Sequence, residues 1–159
     1  MSYFFCIFAV SNFKHKVLIS NIITMYNYFK IREFFPHCTP EEVAEVFDNK
    51  GKSTSLFELC RVLNFIRHRA MVPIIINSGY RGVLHNKRVG GVQNSQHLLM
   101  QAADIRSDSE RGLMDLWRFI TSSMDLNDIV GQCILYQDRH FIHIALPCPK
   151  HMHKTINLR

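Results

Sequence analysis

Two histidines and one aspartate are the residue types in this chain best suited to holding a metal ion. His97 and Asp104 lie seven positions apart, and His143 follows much later in the segment FIHIAL. Two imidazoles and one carboxylate supply three protein ligands and leave a fourth position for water, which is the composition of a catalytic zinc site. The sequence therefore predicts one zinc ion held by His97, Asp104 and His143.

Glycines are concentrated just before the first two of these residues. Gly79, Gly82, Gly90 and Gly91 are four of the seven glycines in the chain. Such a cluster predicts tight turns and close backbone approach around a site, because glycine lacks a Cβ. A single histidine in a strand is more often structural than a ligand, so the prediction depends on the joint pattern.

Short strands are predicted to position these ligands. β-Branched and apolar runs bounded by turn residues are typical of strands. The candidate strands are 73–77, 102–106, 133–136 and 141–146, with 137–140 as the hairpin turn between the last two. Asp104 would then lie in the second strand, where its carboxylate can point into a cleft.

The last predicted strand has two distinct faces. Because side chains alternate along a strand, Ile142, Ile144 and Leu146 share one face. Phe141, His143 and Ala145 share the other. We expect the first face to pack in the core and the second to present His143 from a rigid element.

Three helices are predicted from their N-terminal sequences. Thr39 precedes a proline and two glutamates, which is typical of a capped helix that runs to about Asp48. Ser55 with Glu58, and Ser107 with Glu110, resemble two further capping boxes, each followed by an apolar stripe at helical spacing. The aromatic-rich stretch 22–35 fits a helix or irregular structure equally. Helices packed on a small, mainly antiparallel sheet give an α+β fold.

Composition limits the partners of this chain. Its 159 residues suit one domain with a real core, and its net charge of +6 and pI of about 9.2 favour an anionic partner. No dense Lys/Arg run with interleaved aromatics is present, so nucleic acid is not the expected partner. An acidic cell-wall polymer or membrane surface fits the charge.

Cysteines and the N-terminal residues bear on the compartment. The five cysteines are odd in number and lack C-x-x-C spacing, which predicts reduced core thiols and a reducing compartment of synthesis. The apolar run Tyr3 to Val10 is too short to span a bilayer and lacks the charged start of a signal peptide. We therefore expect no integral membrane segment, no clear signal peptide and synthesis in the cytoplasm.

Taken in order, five segments resemble the motifs of one enzyme family. They are SGYR at 78–81 followed by Asn86, VGG at 89–91, Ser95-x-His97, AADI at 102–105 and FIHI at 141–144. This order is similar to the zinc D-alanyl-D-alanine peptidases of bacterial cell walls and their phages. That family includes D,D-carboxypeptidases, VanX- and VanY-like enzymes and phage endolysins. The resemblance is to the short single-domain form, and it runs from about Tyr28 to the C-terminus.

The resemblance implies a fold and a role for each matching position. The fold would be Hedgehog/DD-peptidase-like, with His97, Asp104 and His143 as the zinc ligands. Arg81 would polarise the scissile carbonyl and stabilise its oxyanion, a role that suits a guanidinium of fixed charge. Ser95 would lie near the terminus of the bound substrate. Tyr80, beside Arg81, would be a second substrate-binding residue.

Two positions depart from the family pattern. The family usually has glycine three residues after the first zinc histidine, where this chain has Met100, and we expect the larger side chain to narrow or reshape the cleft. The family's general base is usually an acid three residues before the last zinc histidine. Here that position is His140, and the nearest carboxylate is Asp138. Either can be the base, or His140 is an exposed turn residue and the site lacks an efficient base.

Together these features predict one zinc-dependent enzyme of 159 residues. It would have an N-terminal arm at 1–27, a metallopeptidase core at 28–146 and a basic tail at 147–159. Its substrates would be peptidoglycan stem peptides, cut either as a D-Ala-D-Ala carboxypeptidase or as an endopeptidase, with phage lysis or the virion as the favoured setting. The alternative is a zinc-stabilised cell-wall-binding or phage structural module without strong activity. The sequence makes no prediction of oligomeric state.

Overall fold

The structure is a computed structural model that describes residues 27–159. The helices are α1 (Pro40–Asp48), α2 (Lys50–Ala70), α3 (Val83–Arg88) and α4 (Glu110–Ser122). The strands are β1 (Ile75–Ser78), β2 (Ala102–Arg106), β3 (Gln132–Tyr136), β4 (Phe141–Ala145) and β5 (Thr155–Leu158). Short 3-10 turns span Ile31–Phe34, Gln96–Leu99, Met124–Leu126 and Gln137–Arg139. The apolar run Tyr3 to Val10 and most of the predicted arm lie outside the described residues.

The strands form a single five-stranded sheet in the order β1-β2-β4-β3-β5. Neighbouring strands are antiparallel, except that β5 runs parallel to β3. This arrangement confirms the predicted α+β fold with a mainly antiparallel sheet. The sequence did not predict β5, which lies within the segment interpreted as a basic tail.

The core lies on one face of the sheet. Side chains on that face are at most 1% exposed: Ala103, Ile105, Cys133, Leu135, Ile142 and Ile144. Helix α4 packs against β3 and β4, and α2 packs against α4. Burying each branched aliphatic side chain contributes roughly 1.5–3 kcal/mol to the free energy of folding. This apolar layer therefore fixes the register of the strands, and with it the positions of the side chains on the opposite face of the sheet.

Two of the predicted helix starts are wrong. Helix α2 begins at Lys50, where the Asn49 side chain accepts from the Lys52 amide, so Ser55 and Glu58 lie inside the helix. Helix α4 is capped by Ser109, whose hydroxyl accepts a hydrogen bond from the Gly112 amide. The Ser107 hydroxyl instead donates a hydrogen bond to Oδ1 of Asp108. In both cases another preferred capping residue stood nearby in sequence, and its side chain makes the capping hydrogen bond. The start of α1 at Thr39 was predicted correctly.

The predicted strands agree closely with the structure. Strand β2 has the predicted bounds, and β3 and β4 form the predicted hairpin. Strand β1 ends one residue later than predicted, which brings Ser78 into the sheet opposite Asp104. Among residues 27–159, no helix is long and apolar enough to cross a membrane.

Candidate metal centre

Asp104 and His143 are brought together by the pairing of β2 with β4. They are direct partners in this antiparallel ladder, so both side chains project from the same face of the sheet. The Nδ1 atom of His143 lies 2.8 Å from Oδ1 of Asp104. The face opposite the core thus presents two of the three predicted ligands side by side.

His97 reaches the same place from the 3-10 turn Gln96–Leu99. Ser95 caps this turn, and its hydroxyl accepts from the His97 amide at 3.3 Å. Nδ1 of His97 lies 2.7 Å from the Gly79 carbonyl, which can only accept a hydrogen bond. A proton on Nδ1 satisfies this carbonyl, and a neutral ring in that tautomer would present the lone pair of Nε2 to a metal. Ser95, predicted to bind substrate, is 9% exposed and supports the turn that carries His97.

The three ligand atoms form a triangle of suitable size for zinc. His97 Nε2 lies 3.3 Å from His143 Nδ1 and 3.3 Å from Asp104 Oδ1. Zinc bonds of about 2.0–2.1 Å in a tetrahedral arrangement place neighbouring ligand atoms roughly 3.3–3.4 Å apart. These residues form the one group of three or more metal-binding side chains found in the described part of the chain. The donor types and two sides of the triangle fit zinc, while the third side, 2.8 Å between His143 Nδ1 and Asp104 Oδ1, is a hydrogen-bond distance.

Asp104 is held in its charged form. Burial by itself favours the neutral acid, but hydrogen bonds with His143 and His97, together with their charge, bring the pKa of Asp104 well below its usual range. At neutral pH Asp104 is a carboxylate that is only 7% exposed. A buried negative charge of this kind favours a bound cation.

Arg81 lies against the outer side of the same carboxylate. Its Nη2 contacts Oδ2 of Asp104, and its Nε donates to the Ser78 hydroxyl at 2.8 Å. The Arg81 amide also donates to the His97 carbonyl at 3.3 Å. The guanidinium is therefore fixed beside the metal position, where it can stabilise negative charge that develops on a substrate.

The loop before Arg81 packs tightly against the N-terminal part of the described chain. A Cβ on Gly79 would lie 2.4 Å from the Phe34 carbonyl oxygen, so only glycine fits at this position. The same oxygen accepts from the Tyr80 amide at 2.9 Å. The loop that supplies both Arg81 and the Gly79 carbonyl is thus fixed by backbone contacts.

Tyr80 is a buried supporting residue in this structure. It is 2% exposed, and its hydroxyl lies 2.9 Å from Lys52 Nζ and 3.2 Å from Glu45 Oε2. This position indicates that Tyr80 supports the loop that carries Arg81, and the predicted contact with substrate stays a prediction. Sequence reasoning missed Lys52 and Glu45, because they lie 28 and 35 positions from Tyr80 and no local pattern joins them.

Met100, expected to narrow or reshape the cleft, lies within the core, and its effect on the cleft stays a prediction. Its backbone is left-handed, with φ 59° and ψ 24°, and its side chain is 0% exposed within the core. A left-handed residue directly after the His97 turn explains why glycine suits this position in the family pattern. Here a methionine adopts the same backbone and fills core space instead.

His140 and Asp138, the two candidate bases, lie in the exposed turn between β3 and β4. Residues 137–140 are all exposed, and His140 has a left-handed φ of 54°. His140 lines a cavity with Ser107, Ser109 and Leu113, beside the start of α4. That helix covers the opposite face of the sheet from His143. Within residues 27–159, neither side chain has a hydrogen bond or ion pair with the metal ligands.

The chain matches a model of a known protein family. A family model described as Peptidase M15 matches residues 27–145, which is most of the chain and includes all three candidate ligands and Arg81. A search of curated proteins found no match.

Proposed function

This chain belongs to the peptidase M15 family, and on that premise we propose that it hydrolyses peptide bonds in peptidoglycan stem peptides. The observation that carries the proposal is the triangle of His97 Nε2, Asp104 Oδ1 and His143 Nδ1. Three ligands of this kind leave one coordination position open, which distinguishes a catalytic zinc site from a structural one. Both a D-Ala-D-Ala carboxypeptidase and an endopeptidase are consistent with this centre.

The residues around the centre have separate tasks. Zinc, when bound by the three ligands, supplies a Lewis acid that activates water and polarises a carbonyl. Arg81 keeps its charge in any environment and offers guanidinium N–H groups to an oxyanion. Such a fixed donor is worth about 3–4 kcal/mol in a transition state. Ser78, the Gly79 carbonyl and Ser95 hold Arg81 and His97 in place.

A second candidate function is a zinc-stabilised cell-wall-binding or phage structural module. The exposed positions of His140 and Asp138 favour it, because a general base must come within hydrogen-bond reach of the proton that it accepts. The metal centre would then serve stability and binding alone. For either function, the net charge of +6 supports action at an anionic cell wall, and we propose phage lysis or the virion as the setting.

Digestion of purified peptidoglycan tests the proposed function. Protein of measured zinc content is incubated with sacculi, and the soluble products are identified by mass spectrometry. Release of D-alanine alone would identify a carboxypeptidase, and release of longer fragments an endopeptidase. Full zinc occupancy with no new product would overturn hydrolysis and support the binding module. A His153→Ala variant, changed at an exposed histidine, should behave as wild type.

A further inference from the structure

The metal ligands lie in one row of residues across the sheet. Ser78, Asp104, His143 and Ile134 are successive partners on β1, β2, β4 and β3. The next row on the same face lies two residues along each strand, roughly 7 Å away. It contains Arg106, Phe141 and Tyr136, and we call these three residues the aromatic–arginine row.

On its other side, the ligand row is closed. There the same face carries Ala102 and Ala145, which are 0% and 1% exposed. The Gln96 side chain donates to the Leu146 carbonyl at 3.1 Å, which joins the 3-10 turn of His97 to the end of β4. A bound substrate is therefore blocked in that direction among the described residues. The aromatic–arginine row lies in the opposite direction, where strand side chains are partly exposed.

Phe141 and Tyr136 form a stacked pair within this row. They are direct partners on β4 and β3, with ring centroids 4.6 Å apart and ring planes 18° from parallel. Both side chains are half-buried, so part of each ring meets solvent. Two mutually fixed rings offer an apolar surface with little conformational freedom to lose on binding.

Arg106 brings a positive charge without an ion pair to the end of the row. Its Nε donates to Asn77 Oδ1 at 3.0 Å and its Nη1 to the Ser107 carbonyl at 3.2 Å. Asp108 and Glu110 line one cavity together with Arg106, yet Arg106 forms no ion pair with any acid in the described chain. A guanidinium oriented by neutral acceptors keeps free N–H groups for a carboxylate. Arg81, by contrast, is already paired with Asp104.

We propose that the aromatic–arginine row is the substrate-specificity site of this enzyme, and that it binds a peptide bearing a free carboxylate. The proposal rests on the peptidase function proposed above. The stacked rings pack against the aliphatic part of the peptide, and Arg106 pairs with its carboxylate. A separation of roughly 7 Å corresponds to about two extended residues, so this carboxylate lies about two residues from the scissile bond.

Two synthetic stem peptides that differ only in a carboxylate or a carboxamide at that position provide the test. Wild-type enzyme should cleave the carboxylate peptide with kcat/KM roughly tenfold higher or more, mainly through KM, since a charge-assisted hydrogen bond is lost in the other. Arg106→Gln should cleave both peptides at the wild-type carboxamide rate. Arg111→Gln removes a 93% exposed arginine on α4 and should keep the preference.

A second variant tests the aromatic pair, and the same peptides distinguish failure of this proposal from failure of the peptidase function. Phe141→Leu should raise KM for both peptides by roughly tenfold while the carboxylate preference persists, because ring contact does not depend on charge. Equal wild-type rates on the two peptides would overturn the proposal while leaving peptidase activity intact. If zinc-loaded enzyme cleaves neither peptide, the proposed function fails. In that case calorimetry on the uncleaved peptides tests whether the aromatic–arginine row binds a carboxylate. Equal affinities for the two peptides would overturn this binding role, and tighter binding of the carboxylate peptide would support it.

Discussion

The two ends of strand β4 differ in how firmly the fold holds their side chains. At one end, His143 pairs directly with Asp104, and His97, only 2% exposed, closes the group with its own ring fixed by Gly79. At the other end, residues 137–140 form an exposed turn that finishes on a left-handed His140. The metal centre is preorganised by contacts from four separate segments, and the turn is not. Substitutions at the metal centre should therefore reduce activity much more than substitutions in the turn.

Loss of a metal ligand should have the largest effect. His97→Ala should reduce bound zinc well below one per chain and abolish peptidase activity. Loss of an outer partner lowers metal affinity roughly 10–100-fold, and loss of a ligand should exceed that. Metal analysis after dialysis measures this result, with His153→Ala as the matched exposed control. If zinc stays stoichiometric in His97→Ala, the proposed ligand set is wrong.

Arg81 should separate metal binding from transition-state stabilisation. Arg81→Gln should lower kcat by about 10²–10³, the usual cost of removing one oxyanion donor. Zinc affinity should fall less than in His97→Ala, because Arg81 contacts only the outer oxygen of Asp104. Steady-state kinetics on zinc-saturated protein separate the two effects, with the exposed Arg118→Gln as control. An unchanged kcat would remove Arg81 from the catalytic group.

The sequence predicted the metal end of β4 well for a physical reason. Alternation along a strand places Phe141, His143 and Ala145 on one face whatever the tertiary contacts, and β2 and β4 were found by the same local pattern. The pairing of Asp104 with His143 then follows from the strand order. Local patterns are sufficient where the ligands lie in regular strands.

Features fixed by distant contacts could not be predicted in this way. The left-handed backbone of Met100 follows from the turn that brings His97 to the sheet and from the bond between the Leu146 amide and the Gln101 carbonyl. The buried Tyr80 hydroxyl lies beside Lys52 and Glu45, which are on the two helices that precede it in the chain. The family pattern indicated a bulky cleft residue at the first position and a substrate contact at the second.

A smaller effect on activity is expected at Tyr80, which supports the metal centre only through the loop that carries Arg81. Tyr80→Phe removes the hydroxyl that lies between Lys52 and Glu45, which should cost about 1 kcal/mol of unfolding free energy. It should also lower kcat by about threefold through Arg81, with KM and zinc content unchanged. Thermal unfolding and kinetics measure the two effects. A double-mutant cycle with Glu45→Gln should show coupling of about 0.5 kcal/mol or more. Strict additivity would contradict the proposed contact.

The smallest effect on catalysis should come from the turn. A general base contributes about 10²–10⁴ to the rate, so replacing it gives an unmistakable loss. Because His140 lies beside the start of α4 and has no hydrogen bond with the metal ligands, His140→Ala should lower kcat/KM by less than about threefold, within the range of an indirect change.

His140→Gly is the matched control, since it also removes the imidazole but relaxes the left-handed backbone. It should be more stable than His140→Ala by about 1 kcal/mol at equal activity. Asp138→Asn tests the neighbouring carboxylate as a base, by the same measurement of kcat/KM. A loss of about 100-fold or more in both His140 variants would make the imidazole the base and require the turn to fold over the metal face during catalysis. The contrast between the two ends of β4 would then describe only the free enzyme.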